Sequence, residues 1–204
     1  MSSLKEIYLI TDEGIEFNLL YDKCRIALDN GIKLLQYRRK EGSFKEKIYE
    51  VNKLLELCTK SGCKLIINDR VDIALASGAH GVHLGREDMD VKTARKILRD
   101  KIIGATAKTV EQAVTAFEEG ADYLGVGALF PSVTKKDAIG ITINILKAIR
   151  KAVPIPIYGI GGITSHNLTP EIIENVNGVS VVSAILRSDD TLSSIEKLRE
   201  VLSC

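Results

Sequence analysis

Several features that mark particular classes of protein are missing from this 204-residue sequence. No apolar run approaches the roughly 20 residues that a membrane-spanning helix needs, and the opening MSSLKEIYLITDEG lacks the apolar stretch of a signal peptide. The 28 basic and 27 acidic residues leave a net charge of +1, which favours neither nucleic acid nor a membrane as partner. We therefore expect a cytoplasmic protein in which any anion site is local.

Metal-binding and redox signals are also scarce. The four cysteines include no CxxC pair and no zinc-ligand spacing, so we expect reduced thiols. His80 and His83 lie three residues apart, but across a predicted turn and strand rather than on one helical face. This placement argues against a histidine metal site.

The sequence does contain a repeated pattern. Residues 24–38, 72–85, 113–127 and 171–183 each combine an amphipathic helical stretch, a glycine and a short β-prone run. A glycine just past a helix caps it in the left-handed conformation. Strands that alternate with helices in this way indicate βαβ units and a parallel sheet.

Eight strands are predicted along the chain. They cover residues 6–11, 33–38, 64–68, 81–84, 102–106, 123–128, 155–160 and 179–184. Eight βα units of this length fit a small (β/α)8 TIM barrel, and we expect residues 1–204 to form a single catalytic domain. The alternative is an open doubly wound sheet, but no GxGxxG motif follows the first strand.

A barrel places its active site at the carboxyl ends of its strands, so the segment after each strand is of interest. After strand 2, Gln36, Arg38 and Lys40 occupy alternate positions and share one face of the extended chain. Three long polar side chains in register suit a clamp for an anion or a heterocycle. A charged strand end in solvent is the alternative interpretation.

Carboxylates follow strands 3 and 4. Asn68 and Asp69 end strand 3, and Asp88 comes shortly after strand 4. Asp69 could simply cap the helix that follows it, and one of Glu87, Asp88 and Asp90 could cap the helix after strand 4. Because strands 3 and 4 are neighbours, the carboxylates of Asp69 and Asp88 can also face each other, and a carboxylate pair near a phosphate suits Mg²⁺.

The later loops carry hydroxyls, lysines and glycines. In FPSVTKKDAIG, after strand 6, Ser132, Thr134 and Lys135 can donate to a phosphate, although two successive lysines are often merely solvated. The glycines of GIGGI, after strand 7, let backbone N–H groups approach a phosphate closely, and Ser183 follows strand 8. Barrels of this kind often hold a phosphate between these last two loops.

Taken together, these motifs resemble those of the thiamine-phosphate synthase family. The matching segments occur in order over nearly the whole chain and read QYRRK, NDRVDIALASGAHGVHLGREDM, GVGALFPSVTKKDA, YGIGGI and VSVVSAI. The resemblance implies a transferase that couples 4-amino-5-hydroxymethyl-2-methylpyrimidine diphosphate with a (carboxy)thiazole phosphate. The products would be thiamine phosphate and diphosphate, and Mg²⁺ would be the cofactor.

The resemblance also implies roles for individual residues. The implied pyrimidine diphosphate contacts are Gln36, Tyr37, Arg38, Arg39, Lys40, Asn68, Thr106 and Lys135. The implied thiazole phosphate contacts are Ser132, Val133, Thr134, Gly162, Val182 and Ser183. Asp69 and Asp88 match the magnesium ligands, while Arg38, Lys40 and Lys135 would be catalytic because they stabilise charge on the departing diphosphate.

Two other functions stay open at this stage. A thiazole tautomerase-type isomerase would share the barrel, but it would need an acid or base at the rim rather than a diphosphate clamp. A non-catalytic thiamine-phosphate-binding protein would have no use for paired magnesium ligands. Small-molecule substrates are the expected partners, together with a possible second copy of the chain in a homo-oligomer.

Overall fold

A closed parallel barrel organises the computed structural model, which describes residues 5–131 and 140–203. Within these ranges the strands pair in chain order, and β8 closes onto β1. The strands are β1 (Glu6–Ile10), β2 (Leu34–Tyr37), β3 (Lys64–Asn68), β4 (Gly81–Leu84), β5 (Ile102–Ala107), β6 (Tyr123–Gly127), β7 (Ile157–Ile160) and β8 (Gly178–Val181). The predicted (β/α)8 barrel is thereby confirmed.

Helices surround this barrel and follow the strands. They are α1 (Phe17–Asp29), α2 (Phe44–Ser61), α3 (Val71–Ser77), α4 (Val91–Leu98), α5 (Val110–Glu118), α6 (Ile143–Ala152), α7 (Pro170–Asn175), α8 (Ser183–Leu186) and α9 (Thr191–Leu202). Local sequence sets their ends, as α2 illustrates. Ser43 and Glu46 form a capping box at its start, and Gly62 ends it in the left-handed conformation with a φ of 66°.

The main apolar core lies between the strands and the helices. Outward-facing strand residues such as Leu9, Leu65 and Ile103 are fully buried there. Cys24, Cys58 and Cys63 are buried in the same layer and form no disulfide with one another. In the described part of the chain, no helix is both long and apolar enough to cross a membrane.

The barrel interior is filled by large side chains opposite glycines. Tyr8, Tyr123 and Tyr158 meet edge to face, with ring centroids 5.4–5.8 Å apart. A Cβ atom on Gly104 would lie 2.1 Å from Cζ of Tyr123, so only glycine fits there. A packed, rigid floor therefore supports the carboxyl ends of the strands.

Candidate active site

A cavity of about 300 Å³ opens at the carboxyl ends of the strands, above the tyrosine floor. Most of the residues predicted from the sequence meet in its wall. These are Gln36, Arg38, Lys40, Asn68, Asp69, Asp88, Thr106, Gly162, Val182 and Ser183. Segments that are far apart in the chain thus converge on one mouth, as the barrel topology requires.

The end of β2 contributes Gln36, Arg38 and Lys40 to the cavity from alternate positions. Glu13, in the loop after β1, holds this segment in place. Its Oε2 accepts a hydrogen bond of 2.8 Å from the Lys40 amide, and its Oε1 lies 3.3 Å from Nη1 of Arg38. Thr11 accepts a hydrogen bond of 2.8 Å from the Arg38 amide. These contacts hold the two cations at the rim.

Tyr37 and Arg39 are not brought together with the other predicted residues. They lie on the outer side of β2, where both side chains donate to the carboxylate of Glu50 on α2. They line a separate cavity of about 630 Å³ instead. The alternation of a strand explains this placement, since neighbouring residues point to opposite faces. Their substrate role remains a prediction from the resemblance.

The two aspartates predicted to bind magnesium lie side by side. Burial is the largest of the effects that raise the pKa of Asp69 to about 6, and the hydrogen bond and the charge of the adjacent Asp88 carboxyl act in the same direction. Lys40 and Arg38 act in the opposite direction and favour the ionised form. Asp88 is itself fixed by a hydrogen bond of 2.7 Å from the Gly85 amide to its Oδ2. A divalent cation would relieve the repulsion in this pair.

Neither aspartate caps the helix that follows it. Asp69 has a φ of 62°, a left-handed conformation that is rare outside glycine. Arg70 is the N-cap of α3 and makes no side-chain capping bond, while Asp90 rather than Asp88 caps α4. The capping alternative is therefore wrong for Asp69, whereas the cap expected from one of Glu87, Asp88 and Asp90 is confirmed and is provided by Asp90. The left-handed turn directs the Asp69 side chain into the cavity wall.

The floor of the cavity contains a hydrogen-bonded set of residues that the sequence analysis largely missed. Gln36 Nε2 donates to the Tyr8 hydroxyl at 2.7 Å, and the Tyr8 and Tyr123 hydroxyls are 2.8 Å apart. The Tyr123 hydroxyl is 3.1 Å from Nδ1 of His83, whose Nε2 is 3.0 Å from Oγ1 of Thr106. We refer to these five residues as the buried hydrogen-bond chain.

His83 lies inside the barrel, although the sequence analysis considered it only as a metal ligand. It is in phase with Gly81 on β4, and a count of alternate positions would have placed it inside the barrel. Burial lowers the pKa of His83 to about 4, so the ring is neutral at physiological pH. Among the described residues, no cluster of three or more His, Cys, Asp or Glu side chains could hold a metal ion.

The loops after β7 and β8 form the opposite wall. Gly161 and Gly162 have φ values of 99° and 60°, and a Cβ on Gly162 would lie 2.1 Å from the Pro131 carbonyl oxygen. Asn167 Nδ2 donates to the Gly162 carbonyl at 2.8 Å and fixes this turn. Ser183 begins α8 beside it. The wall is compact enough for backbone amides to approach a ligand.

Some predicted site residues lie outside the described part of the chain, while the cavity wall also includes residues that were not among the predicted site residues. Ser132, Val133, Thr134 and Lys135 belong to the first group. Arg86, Glu87 and Lys108 belong to the second and line the cavity beside the aspartates. The two added cations increase the positive charge available to an anionic ligand.

The fold and the cavity define a class: a TIM-barrel protein whose mouth combines paired carboxylates, cations and a glycine turn, as in sites for phosphorylated ligands. A family model described as thiamine monophosphate synthase matches residues 7–185. The chain belongs to this family, and it is an enzyme of thiamine biosynthesis.

Individual relatives agree with that assignment. A thiamine-phosphate synthase of Clostridium perfringens is 46% identical over 200 residues, which are 98% of this chain and 97% of the relative. The corresponding protein of Chloroflexus aurantiacus is 39% identical, covering 97% of this chain and 92% of its own. A solved thiamine phosphate pyrophosphorylase from Pyrococcus furiosus superposes with a TM-score of 0.88 and 35% identity, covering 97% and 95% of the two chains.

Proposed function

We propose that this enzyme couples 4-amino-5-hydroxymethyl-2-methylpyrimidine diphosphate with a (carboxy)thiazole phosphate to give thiamine phosphate and diphosphate, with CO₂ as a further product when the thiazole carries the carboxylate. The observation that carries the proposal is the convergence of Arg38, Lys40, Asp69 and Asp88 on one cavity that also contains the glycine turn after β7. Two anionic substrates need two separated sets of anion-binding groups. This cavity provides one set after β2 to β4 and another after β7 and β8.

The chemistry is a dissociative substitution. The C–O bond between the pyrimidine methylene and the diphosphate breaks, and its electron pair leaves with the diphosphate. Arg38 and Lys40 stabilise the charge that develops on that leaving group. The thiazole nitrogen then donates its electron pair to the methylene carbon. No proton has to leave the nitrogen, so no general base is required.

The aspartate pair fits Mg²⁺. The raised pKa of Asp69 reflects two carboxyls held close together out of bulk water, an arrangement that a divalent cation stabilises. Since no three His, Cys, Asp or Glu side chains of the described residues are grouped so that they could hold a metal ion, water and diphosphate oxygens would complete the shell around Asp69 and Asp88. Bound Mg²⁺ would neutralise negative charge on the diphosphate.

The thiazole phosphate is assigned to the loops after β7 and β8. Gly162, Val182 and Ser183 lie together in the wall opposite the aspartates. Backbone amides and the Ser183 hydroxyl supply donors there, and fixing the phosphate orients the thiazole nitrogen toward the pyrimidine. Lys135, Ser132, Val133 and Thr134 retain the roles predicted for them in the sequence analysis.

The test is a coupling assay with both phosphorylated heterocycles, with and without Mg²⁺, in which diphosphate and thiamine phosphate are quantified. We expect both products in equal amounts and only with Mg²⁺. Absence of thiamine phosphate from the complete mixture would contradict the proposal. In that case, tautomerisation of the thiazole alone would identify an isomerase, and tight thiamine phosphate binding without turnover would identify a binding protein.

A further inference from the structure

We propose that the buried hydrogen-bond chain fixes the positions of protons in the cavity floor, so that Thr106 offers a donor and Gln36 an acceptor to a 4-aminopyrimidine ring. In this role His83, Tyr8 and Tyr123 are positioning residues that set substrate specificity. The inference rests on the proposed function for its ligand. Its structural basis is the order of donors and acceptors along the chain.

The direction of the chain is set at its Gln36 end. Gln36 Nε2 donates to the Tyr8 hydroxyl, which therefore accepts one hydrogen bond. Among the described residues, the only other hydrogen-bond partner of this fully buried hydroxyl is the hydroxyl of Tyr123, 2.8 Å away. A buried hydroxyl proton without an acceptor is costly. Tyr8 must therefore donate to Tyr123.

The same reasoning continues through the histidine. Tyr123 has accepted from Tyr8, so its own proton goes to Nδ1 of His83, 3.1 Å away. An imidazole that accepts at Nδ1 carries its proton on Nε2. Nε2 then donates to Oγ1 of Thr106 over 3.0 Å. Thr106 accepts this bond and keeps its own hydroxyl proton, which it can donate into the cavity that it lines.

The other end of the chain offers the complementary group. No described residue donates to Oε1 of Gln36, although the residue is only 2% exposed. No buried side-chain nitrogen or oxygen among the described residues lacks a hydrogen-bond partner. The Gln36 carbonyl must therefore open onto the cavity, whose wall includes this residue. It is available there as an acceptor.

Close packing prevents the chain from rearranging. A Cβ on Gly104 would lie 2.4 Å from the Tyr123 hydroxyl, and a Cβ on Gly125 would lie 3.0 Å from Cε1 of His83. The His83 ring also stacks on Tyr123, with centroids 5.5 Å apart. These contacts hold the rings in one orientation. The donor at Thr106 and the acceptor at Gln36 are thus built into the floor before a ligand arrives.

The donor at Thr106 and the acceptor at Gln36 complement a 4-aminopyrimidine ring but not its 4-oxo analogue. A 4-aminopyrimidine has ring nitrogens that accept and an exocyclic amine that donates. In the 4-oxo analogue the exocyclic group is an acceptor, and it would meet the Gln36 carbonyl without a proton between the two oxygens. A site built to pair polar groups rejects a ligand that leaves them unpaired. We expect a preference for the amino substrate of roughly 10²-fold or more in kcat/KM.

The direct test is nitrogen NMR of the free protein labelled with ¹⁵N-histidine, with the His83 signals assigned by their loss in His83→Gln. We expect His83 to be a neutral imidazole protonated at Nε2 at pH 7.5. Protonation at Nδ1, or an imidazolium, would overturn the inference. This measurement needs no turnover. The inference can therefore fail or hold independently of the coupling assay that tests the proposed function.

A pair of matched variants tests the effect on specificity. Tyr123→Phe removes the hydroxyl that donates to Nδ1 of His83, so we expect both tautomers of His83 and a loss of about tenfold in the preference for the amino over the 4-oxo pyrimidine diphosphate. Tyr158→Phe removes a hydroxyl from the same aromatic cluster, but that hydroxyl donates to Glu6 outside the chain. It should leave both the tautomer and the preference unchanged. Equal losses in the two variants would overturn the inference.

Discussion

The rim of the cavity holds charged groups, whereas its floor holds buried neutral groups. The rim carries formal charges on Arg38, Lys40, Asp69 and Asp88, where water, a metal ion and phosphates can balance them. The floor consists of neutral groups that satisfy one another, and burial lowers the pKa of its one histidine to about 4. Buried charges are costly unless they are paired, whereas a satisfied neutral network is not. We infer that the rim handles diphosphate and metal, while the floor recognises the ring.

The largest expected effect comes from removing charge at the rim. Asp69→Asn keeps the size of the side chain and tolerates the left-handed backbone, since asparagine adopts that conformation readily. We expect kcat/KM for coupling to fall about 10³-fold through loss of metal-assisted stabilisation. Steady-state kinetics across a Mg²⁺ titration measures this. Wild-type activity at saturating Mg²⁺ would remove Asp69 from the metal site.

The next effect contrasts the two faces of β2. Arg38→Ala should lower kcat/KM about 10²-fold because a cation near the leaving group is lost. Arg39→Ala should lower it much less, since Arg39 pairs with Glu50 away from the cavity. Its main cost should be about 1–3 kcal/mol in the free energy of unfolding. Equal kinetic losses in the two variants would argue that Arg39 reaches the substrate after all.

A third prediction concerns the rigidity of the floor. Gly104→Ala introduces a methyl group 2.1 Å from Cζ of Tyr123 and should cost about 1–3 kcal/mol in the free energy of unfolding. Gly140→Ala is the matched control, because its new methyl would lie 3.6 Å from the nearest atom of the described residues, an ordinary contact. Urea denaturation of both variants measures the difference. Equal stabilities would mean that the floor is loosely packed.

The smallest effect is a pH dependence of stability at the rim. The pKa of Asp69 in the folded, metal-free protein is about 6, above its ordinary value of 3.8, so the folded state binds this proton more tightly than the unfolded state does. Stability from this group is therefore present at low pH and declines as pH rises from about 4 to about 7. Melting temperatures of wild type should fall relative to Asp69→Asn over that range, and Mg²⁺ should reverse the trend. Parallel pH profiles would contradict the raised pKa.

The barrel fold and the charged residues of the rim could be predicted from the sequence. The periodicity of the strands and the glycines that follow the helices are sufficient to predict eight strands. The alternation of side chains along a strand is sufficient to place Gln36, Arg38 and Lys40 on one face. The same alternation separates Tyr37 from them, although the family resemblance groups it with them. The orientation of Asp69 was not predictable in this way, because Asp69 itself adopts the left-handed conformation and no glycine in the sequence marks that turn.

The floor was harder to anticipate because its partners come from five strands. Tyr8, His83 and Tyr123 each look like ordinary strand residues, and only the closed barrel brings their polar atoms within hydrogen-bonding distance. Local patterns report which face a residue occupies. They do not report which residue of another strand lies across the barrel, so a network of this kind emerges only from the tertiary structure.

The most direct measurement is a crystal structure of the enzyme with the pyrimidine diphosphate and Mg²⁺, without the thiazole. We predict the diphosphate and the metal at the rim beside Asp69 and Asp88, and the aminopyrimidine ring against the floor, between Gln36 and Thr106. A diphosphate bound in the glycine turn after β7, or a ring that makes no contact with either floor residue, would contradict the division of the cavity into a charged rim and a neutral floor.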